Sequence, residues 1–251
     1  MATQQQPPAA KANNDVRVEV IEREEDIVAG FDAVAEAFGV QTRDSIWISM
    51  NPGWDDRTPG PESGRARCAA KMVQQWRAAT SRDRDGNLNT VFLKATVPDP
   101  QGDGRVVAGF AIWFQASFVP GRGDPPTADL RTAGTDVEAL HPGNESEQRF
   151  VTQVFRSLFS HRVVAVQEKA DKAAAAAAGP DGKEVEAPAM FLLDLCAVHP
   201  DFQRRGIASA LVRWGLEEAR RREVEGSGGH LELAMEASVM GRLTVSTLGT
   251  F

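Results

Sequence analysis

Met190 to Val198 is a run of nine residues in which only Asp194 is not apolar. Such a run predicts a strand covered on both faces, and so a sheet with other elements layered above and below it. His199-Pro200-Asp201 ends the strand. Gly206 to Glu225 then reads as a helix. Ala208, Leu211, Val212, Gly215 and Ala219 lie on one side, and Ser209, Arg213, Glu217 and Arg220 on the other. The turn between strand and helix delivers first-turn amides that have no intrahelical partner, at the positive end of the helix dipole. Gly206 lacks a Cβ, which lets a ligand come close to the backbone. Arg204 and Arg205 add formal charge at the mouth. Gln203 to Arg222 holds six arginines and two glutamates in a chain of net charge -7. These features predict a diphosphate-sized anion seated at this turn.

The remaining sequence supplies more elements of a mixed α/β fold. Val16 to Ile21 alternates as a strand, with Val16, Val18 and Val20 on one face. Glu22 to Phe38 has helical spacing (Ile27, Phe31, Val34, Phe38), and Gly39 stands where a C-cap is expected. Val40 to Gly60 reads as irregular, and Pro61 as the opening of a second helix with Ala69, Met72, Val73 and Trp76 on one stripe. Thr90–Val97 and Arg105–Ala116 predict a hairpin across Pro98–Gly104. After the Pro/Gly-rich connection Phe118–Gly143, Asn144 and Glu147 form a variant capping box. The helix they open carries Val151, Val154, Phe155 and Leu158 on one stripe. It runs into the alanine-rich stretch after Gln167, read as a solvated helix end and a linker. Leu231 to Ser238 predicts another strand, and Val239 to Leu248 a short final helix. The expected organisation is a tail at 1–15 and a single domain at 16–251, with an insertion at about 117–189.

Composition excludes several classes. Two cysteines, Cys68 and Cys196, rule out a disulfide framework and a four-cysteine zinc site. The longest apolar run, Val106 to Phe114, is half of a bilayer span, and the Gln- and Pro-rich N-terminus has no apolar core of a secretory signal. A cytoplasmic location is therefore expected. An isoelectric point near 5.2 disfavours nucleic acid and anionic membrane as partners. His141, His161, His199 and His230 lack metal-ligand spacing, so no metal is expected. Trp47, Trp54, Asp55 and Asp56 form an aromatic and acidic loop. Glu232 and Glu236 share one strand face, pointing to a cleft or simply to solvent.

The pattern Gln203-x-x-Gly206-x-Ala208, with its preceding strand and Pro200, resembles the Q/R-x-x-G-x-G/A signature of the GNAT superfamily of acyl-CoA N-acyltransferases. The order of elements over Val16 to Leu248 is similar too. The resemblance implies a mixed, twisted sheet flanked by helices. It implies acetyl-CoA as co-substrate and an amine, small molecule or peptide, as acceptor, with direct transfer in a ternary complex. Carried over residue by residue, the backbone of Cys196, Ala197 and Val198 pairs with the pantetheine arm. The amides of Gln203, Arg204, Arg205, Gly206, Ile207 and Ala208, with Ser209, hold the pyrophosphate. The loop holding Trp47 and Trp54 borders the acceptor site. The chain also departs from the family. It has no tyrosine, and Val245 stands where a thiol-protonating tyrosine is usual. Leu192 stands where some members carry a glutamate base, which leaves Asp194 as the candidate catalytic carboxylate; the alternative reading is a buried carboxylate paired with a core arginine or the backbone. One or two strands usual after the last helix do not precede Phe251, so a truncated C-terminus is expected. Two rival readings stay open. One is a catalytically inactive CoA-binding homologue. The other is an interaction module that docks a partner through Asn144–Ala178.

Overall fold

The computed structural model describes residues 15–178, 187–222 and 230–236. Its elements, in chain order, are β1 (Arg17–Val20), α1 (Glu24–Val34), α2 (Ser45–Met50), α3 (Gly64–Ala78), β2 (Thr90–Pro98), β3 (Arg105–Ala116), α4 (Val137–Leu140), α5 (Glu145–Ala177), β4 (Met190–Val198), α6 (Ile207–Arg221) and β5 (Glu232–Met235). The strands form one mixed sheet in the order β1-β2-β3-β4-β5. The first three pairings are antiparallel and β4–β5 is parallel. The apolar run Met190–Val198 thus becomes a central strand, as its composition predicts.

Helices cover both faces. On one, α6 packs Ile207, Leu211, Val212 and Ala219 against Leu93, Ala95, Trp113 and Phe191, and Trp113 stacks on Phe191 at 5.2 Å. On the other, α1 and α3 bury Ile27, Phe31, Met72 and Val73 against Phe92 and Phe110. Each such large side chain contributes about 1.5–3 kcal/mol by leaving water. Further along that face, Val166 of α5 covers Met190 and Leu192. Two bulges bend the central strands. Ala95 pairs with Gly109 and Thr96 with Val107, which leaves Ala108 extra on β3. Ile112 pairs with Leu195 and Trp113 with Leu193, which leaves Asp194 extra on β4.

Several expectations need correction. Gly39 does not end α1. The helix continues as a π-helix over Ala35–Gln41, and a Cβ on Gly39 would lie 2.4 Å from the Trp54 ring. Gly39 is thus a packing position. The segment read as irregular contains α2, capped by Asp44, whose carboxylate accepts from the Trp47 amide at 2.8 Å. Helix α3 starts after Ser63, whose hydroxyl accepts from the Ala66 amide at 3.2 Å, rather than at Pro61. In β1 the inward face changes near its end, because Val20 is exposed while Ile21 is buried against the α1 layer. In α5, burial extends past Gln167 through Lys169 and Ala170 before the solvated alanines begin. Asp15, the last residue of the expected tail, accepts from Arg105 at 2.9 Å. The rest of that tail, the linker around Gly179–Gly182, the end of the last expected strand, Val245 and the final helix lie outside the described residues.

Candidate acyl-CoA site

The site is built where β4 ends. The His199 amide donates to the Ala108 carbonyl of β3 at 2.9 Å, and Pro200–Phe202 form one 3-10 turn. Arg204 (φ 60°) and Gly206 (φ 80°) are both left-handed. That conformation costs a non-glycine residue about 1–2 kcal/mol, so Arg204 carries local strain. The two reversals swing the chain into α6, with Ile207 buried as its anchor. The first intrahelical bond runs from the Ala210 amide to the Gly206 carbonyl at 2.9 Å. Among the described residues, the amides of Arg204 to Ser209 donate no hydrogen bond. An added Cβ on Gly206 would meet nothing within 4 Å, so the space in front of the turn is open. Open amides, a helix dipole and two arginines are the features that favour an anion of phosphate chemistry.

Individual side chains differ from the simplest reading of the motif. The Gln203 main-chain amide, expected among the phosphate donors, instead donates to the Pro200 carbonyl at 3.3 Å and closes the 3-10 turn, and its side-chain amide acts as a brace. It donates to the Val198 carbonyl at 3.1 Å and forms a reciprocal pair with Gln41 at 2.7 and 3.0 Å. Gln41, at the end of the π-helix, carried no sequence signal for this role. Arg205 lies over the Phe202 ring at 5.1 Å and donates to the Asp201 carbonyl at 3.3 Å. The arginines counted toward the turn do not all serve it. Arg220, Arg221 and Arg222 sit at the far end of α6, about 20 Å away at 1.5 Å per residue. Arg221 and Arg222 pair with Glu218. Arg222 is buried and donates to Gln115 at 2.8 Å.

Beside the turn lies an open strand edge. β4 and β5 pair only from Met190↔Glu232 to Leu193↔Met235. Beyond Leu193, β4 keeps β3 on one side and no described strand on the other. Because His199 donates to β3, the antiparallel alternation turns the N–H and C=O of Val198 and Cys196 away from β3, toward that edge. Gln203 takes the Val198 carbonyl, while the two amides remain directed outward. Ala197 is buried on the opposite layer. The Cys196 thiol packs against the α6 layer, and burial pushes its pKa up to about 12, which disfavours the reactive thiolate. The open edge at Cys196–Val198 and the open amides of Arg204–Ser209 therefore lie on either side of the one turn that joins β4 to α6.

Asp194, the bulge residue, faces α5. Its Oδ1 accepts from Arg162 Nη1 at 2.7 Å. Arg162 also donates through Nε to Glu236 Oε1 at 2.9 Å and through Nη2 to Glu236 Oε2. Burial alone would lower the Arg162 pKa, but the bonds and charges of Glu236 and Asp194 outweigh it and raise the pKa. Arg162 escaped the sequence reading, since its partners lie 32 and 74 residues away. The aromatic and acidic loop is mostly structural. Trp47 packs on Phe31 and Trp54, and Asp56 accepts from the Gly64 amide at 2.7 Å. Among the described residues, no group of three His, Cys, Asp or Glu is placed to hold a metal, and no helix is long and apolar enough to cross a membrane.

Residues 135–235, which span α5, β4, the open turn, α6 and β5, match the model of the acetyltransferase (GNAT) family. Over that segment, about two fifths of the chain, the sequence is similar to the GNAT family. Its fold is similar to that of arylalkylamine N-acetyltransferase 2 from Aedes aegypti. That similarity is at 14% identity, over 94% of this chain and 82% of that one, with a TM-score of 0.48. It is also similar to a predicted acetyltransferase from Clostridium acetobutylicum solved with acetyl-CoA, at 11% identity, over 94% and 90% of the two chains, with a TM-score of 0.41. No curated protein matches the chain.

Proposed function

We propose that this chain transfers the acetyl group of acetyl-CoA to an amine, small molecule or peptide, by direct attack in a ternary complex. The observation that carries the reading is the row of open amides from Arg204 to Ser209 beside the unpaired edge of β4, inside the segment that matches the family. In this reading residues 16–251 act as one domain in the cytoplasm. The open amides of Arg204 to Ser209, with the Arg204 and Arg205 side chains flanking them, receive the pyrophosphate. The outward edge of Cys196–Val198 aligns the pantetheine arm as an added strand would. Acetyl-CoA supplies the activated thioester, and the chain supplies alignment. An outward N–H of Cys196 or Val198 faces the oxygen on which charge develops. A bond forms from the amine nitrogen to the carbonyl carbon and the carbon–sulfur bond breaks. Asp194 takes the proton that the amine loses, and the sulfur leaves as thiolate.

A second reading is that the chain binds CoA without turnover. The complete absence of tyrosine favours it, because no phenol is available to protonate the leaving thiolate. Two measurements separate the readings. Thermal shift with CoA and acetyl-CoA tests the seat, since a ligand of the folded state raises the melting temperature by mass action. Release of free thiol with a panel of polyamines, amino acids and aminoglycosides tests transfer. Stabilisation with thiol release supports the enzyme, stabilisation alone supports the binder, and neither overturns both.

A further inference from the structure

The place where β4 and β5 part is marked by one side chain. Their last pair is Leu193↔Met235. The next residue on each strand is a carboxylate, Asp194 and Glu236, and Arg162 of α5 bonds to both. The guanidinium is 6% exposed, and its flat faces lie near the rings of Phe159 at 4.4 Å and Phe114 at 5.1 Å. Seven residues on, Lys169 of the same helix pairs with Glu232 at 2.6 Å. Two rungs, Arg162 on Glu236 and Lys169 on Glu232, thus fasten α5 along β5. The Arg162 rung also reaches β4, and it does so at the bulge. A buried guanidinium with three directed bonds is stiff, whereas a lone aspartate at a bulge has several rotamers. The trio carries one more negative than positive charge. The Asp194 side chain is 36% exposed, so its excess charge is accessible from outside.

We infer that Arg162 is the positioning residue of this fork, fixing where β4 and β5 separate and aiming Asp194 at the acceptor amine. The role rests on the acetyltransferase reading for its consequence in catalysis, but not for its consequence in structure. An ammonium approaching the fork meets a carboxylate held in one orientation, and the guanidinium behind it keeps that carboxylate from turning inward.

The test uses the full chain with Arg162→Lys, Asp194→Asn and the double variant. Lysine keeps the charge and loses the planar, two-sided grip. The Kd of acetyl-CoA, measured by calorimetry, should stay within about twofold in all three, because the phosphate seat lies elsewhere. With an amine that the wild type acetylates, Arg162→Lys should lower kcat about tenfold or more and leave KM for acetyl-CoA in place. The double variant should lose no more than Asp194→Asn alone. Wild-type kcat in Arg162→Lys, or fully additive losses, would overturn the inference. Hydrogen exchange decides the structural half even if the wild type neither binds acetyl-CoA nor releases thiol, the outcome that defeats the acetyltransferase reading. Amides at 193–195 and 234–236 should exchange about tenfold faster in Arg162→Lys while those of β2 keep their rates. Equal exchange at the fork would sink the proposal.

Discussion

Helices α3 and α6 are both fifteen residues long, and they begin in opposite ways. At α3, Ser63 accepts from the Ala66 amide, Asp56 accepts from the Gly64 amide through its carboxylate, and its carbonyl takes the Arg65 amide at 3.2 Å. The helix start carries its own anion. At α6 the N-cap is Gly206, which has no side chain, and the following amides stay open among the described residues. The same dipole and the same orphan donors are present at both ends. One end is closed by the chain itself, which gives stability, and the other is left open. The closed end sits in the α1–α3 layer and the open end beside the unpaired edge of β4.

The contrast can be broken by exchanging what each glycine does. Gly64 is a packing position, since an added Cβ would lie 2.2 Å from the Gly53 carbonyl oxygen. Gly64→Ala should therefore cost about 1–3 kcal/mol of stability. Urea unfolding would show this as a lower midpoint, while acetyl-CoA affinity of the folded protein stays the same. Gly206 has free space around it and a φ of 80° that a β-branched residue resists. Gly206→Val should cost about 1–2 kcal/mol in the geometry of the turn, which is about tenfold in affinity. Calorimetry with acetyl-CoA reads this directly. A Gly206→Val protein that binds as tightly as wild type would move the ligand away from this turn.

What was legible in the sequence follows the same division between local and distant causes. The strand Met190–Val198, the break at Pro200 and the helix from Ile207 are each set by residues next to one another, so composition and periodicity reveal them. The hairpin of β2 and β3 is local in the same sense. Gly39 looks like a cap because a glycine after a helix usually is one, but its neighbour in space is Trp54. Helix α2 has six residues, too few for a periodic signal, and its one local cue is Asp44, three residues before Trp47. Asp194 stands out in the sequence as the one charged residue of an apolar strand, but it pairs with Arg162, whose other partner is Glu236, and no spacing rule joins those three residues. Gln203 was recognised as part of a motif, yet its amide group braces Val198 and Gln41 instead of facing the mouth.

Two smaller changes sharpen the comparison of helix starts. Ser209→Asp would give α6 a carboxylate of its own within the first turn. An anion there stabilises a helix by about 0.3–1 kcal/mol. The melting temperature should rise slightly and acetyl-CoA affinity should fall several-fold, because the introduced charge occupies the same field as the phosphates. A variant that gained stability and kept full affinity would separate the dipole from the binding seat.

The smallest effect expected is at Asp56, and it is best seen through pH. Hydrogen bonds from the Thr58 hydroxyl and from the Gly64 and Thr58 amides lower its pKa from 3.8 to about 2. A depressed carboxylate stabilises the fold fully above its unfolded value and loses that contribution as pH falls through the folded one. Asp56→Asn keeps an acceptor oxygen and removes the charge. Its urea midpoint should lie below that of wild type by the same margin from about pH 7 down to about pH 4, and the gap should close as pH approaches about 2. If the gap persisted unchanged in acid, the cap at α3 would act through hydrogen-bond shape alone. The two helix starts would then differ in the presence of an acceptor rather than in charge, and the α6 turn would be expected to accept neutral oxygens as readily as phosphate.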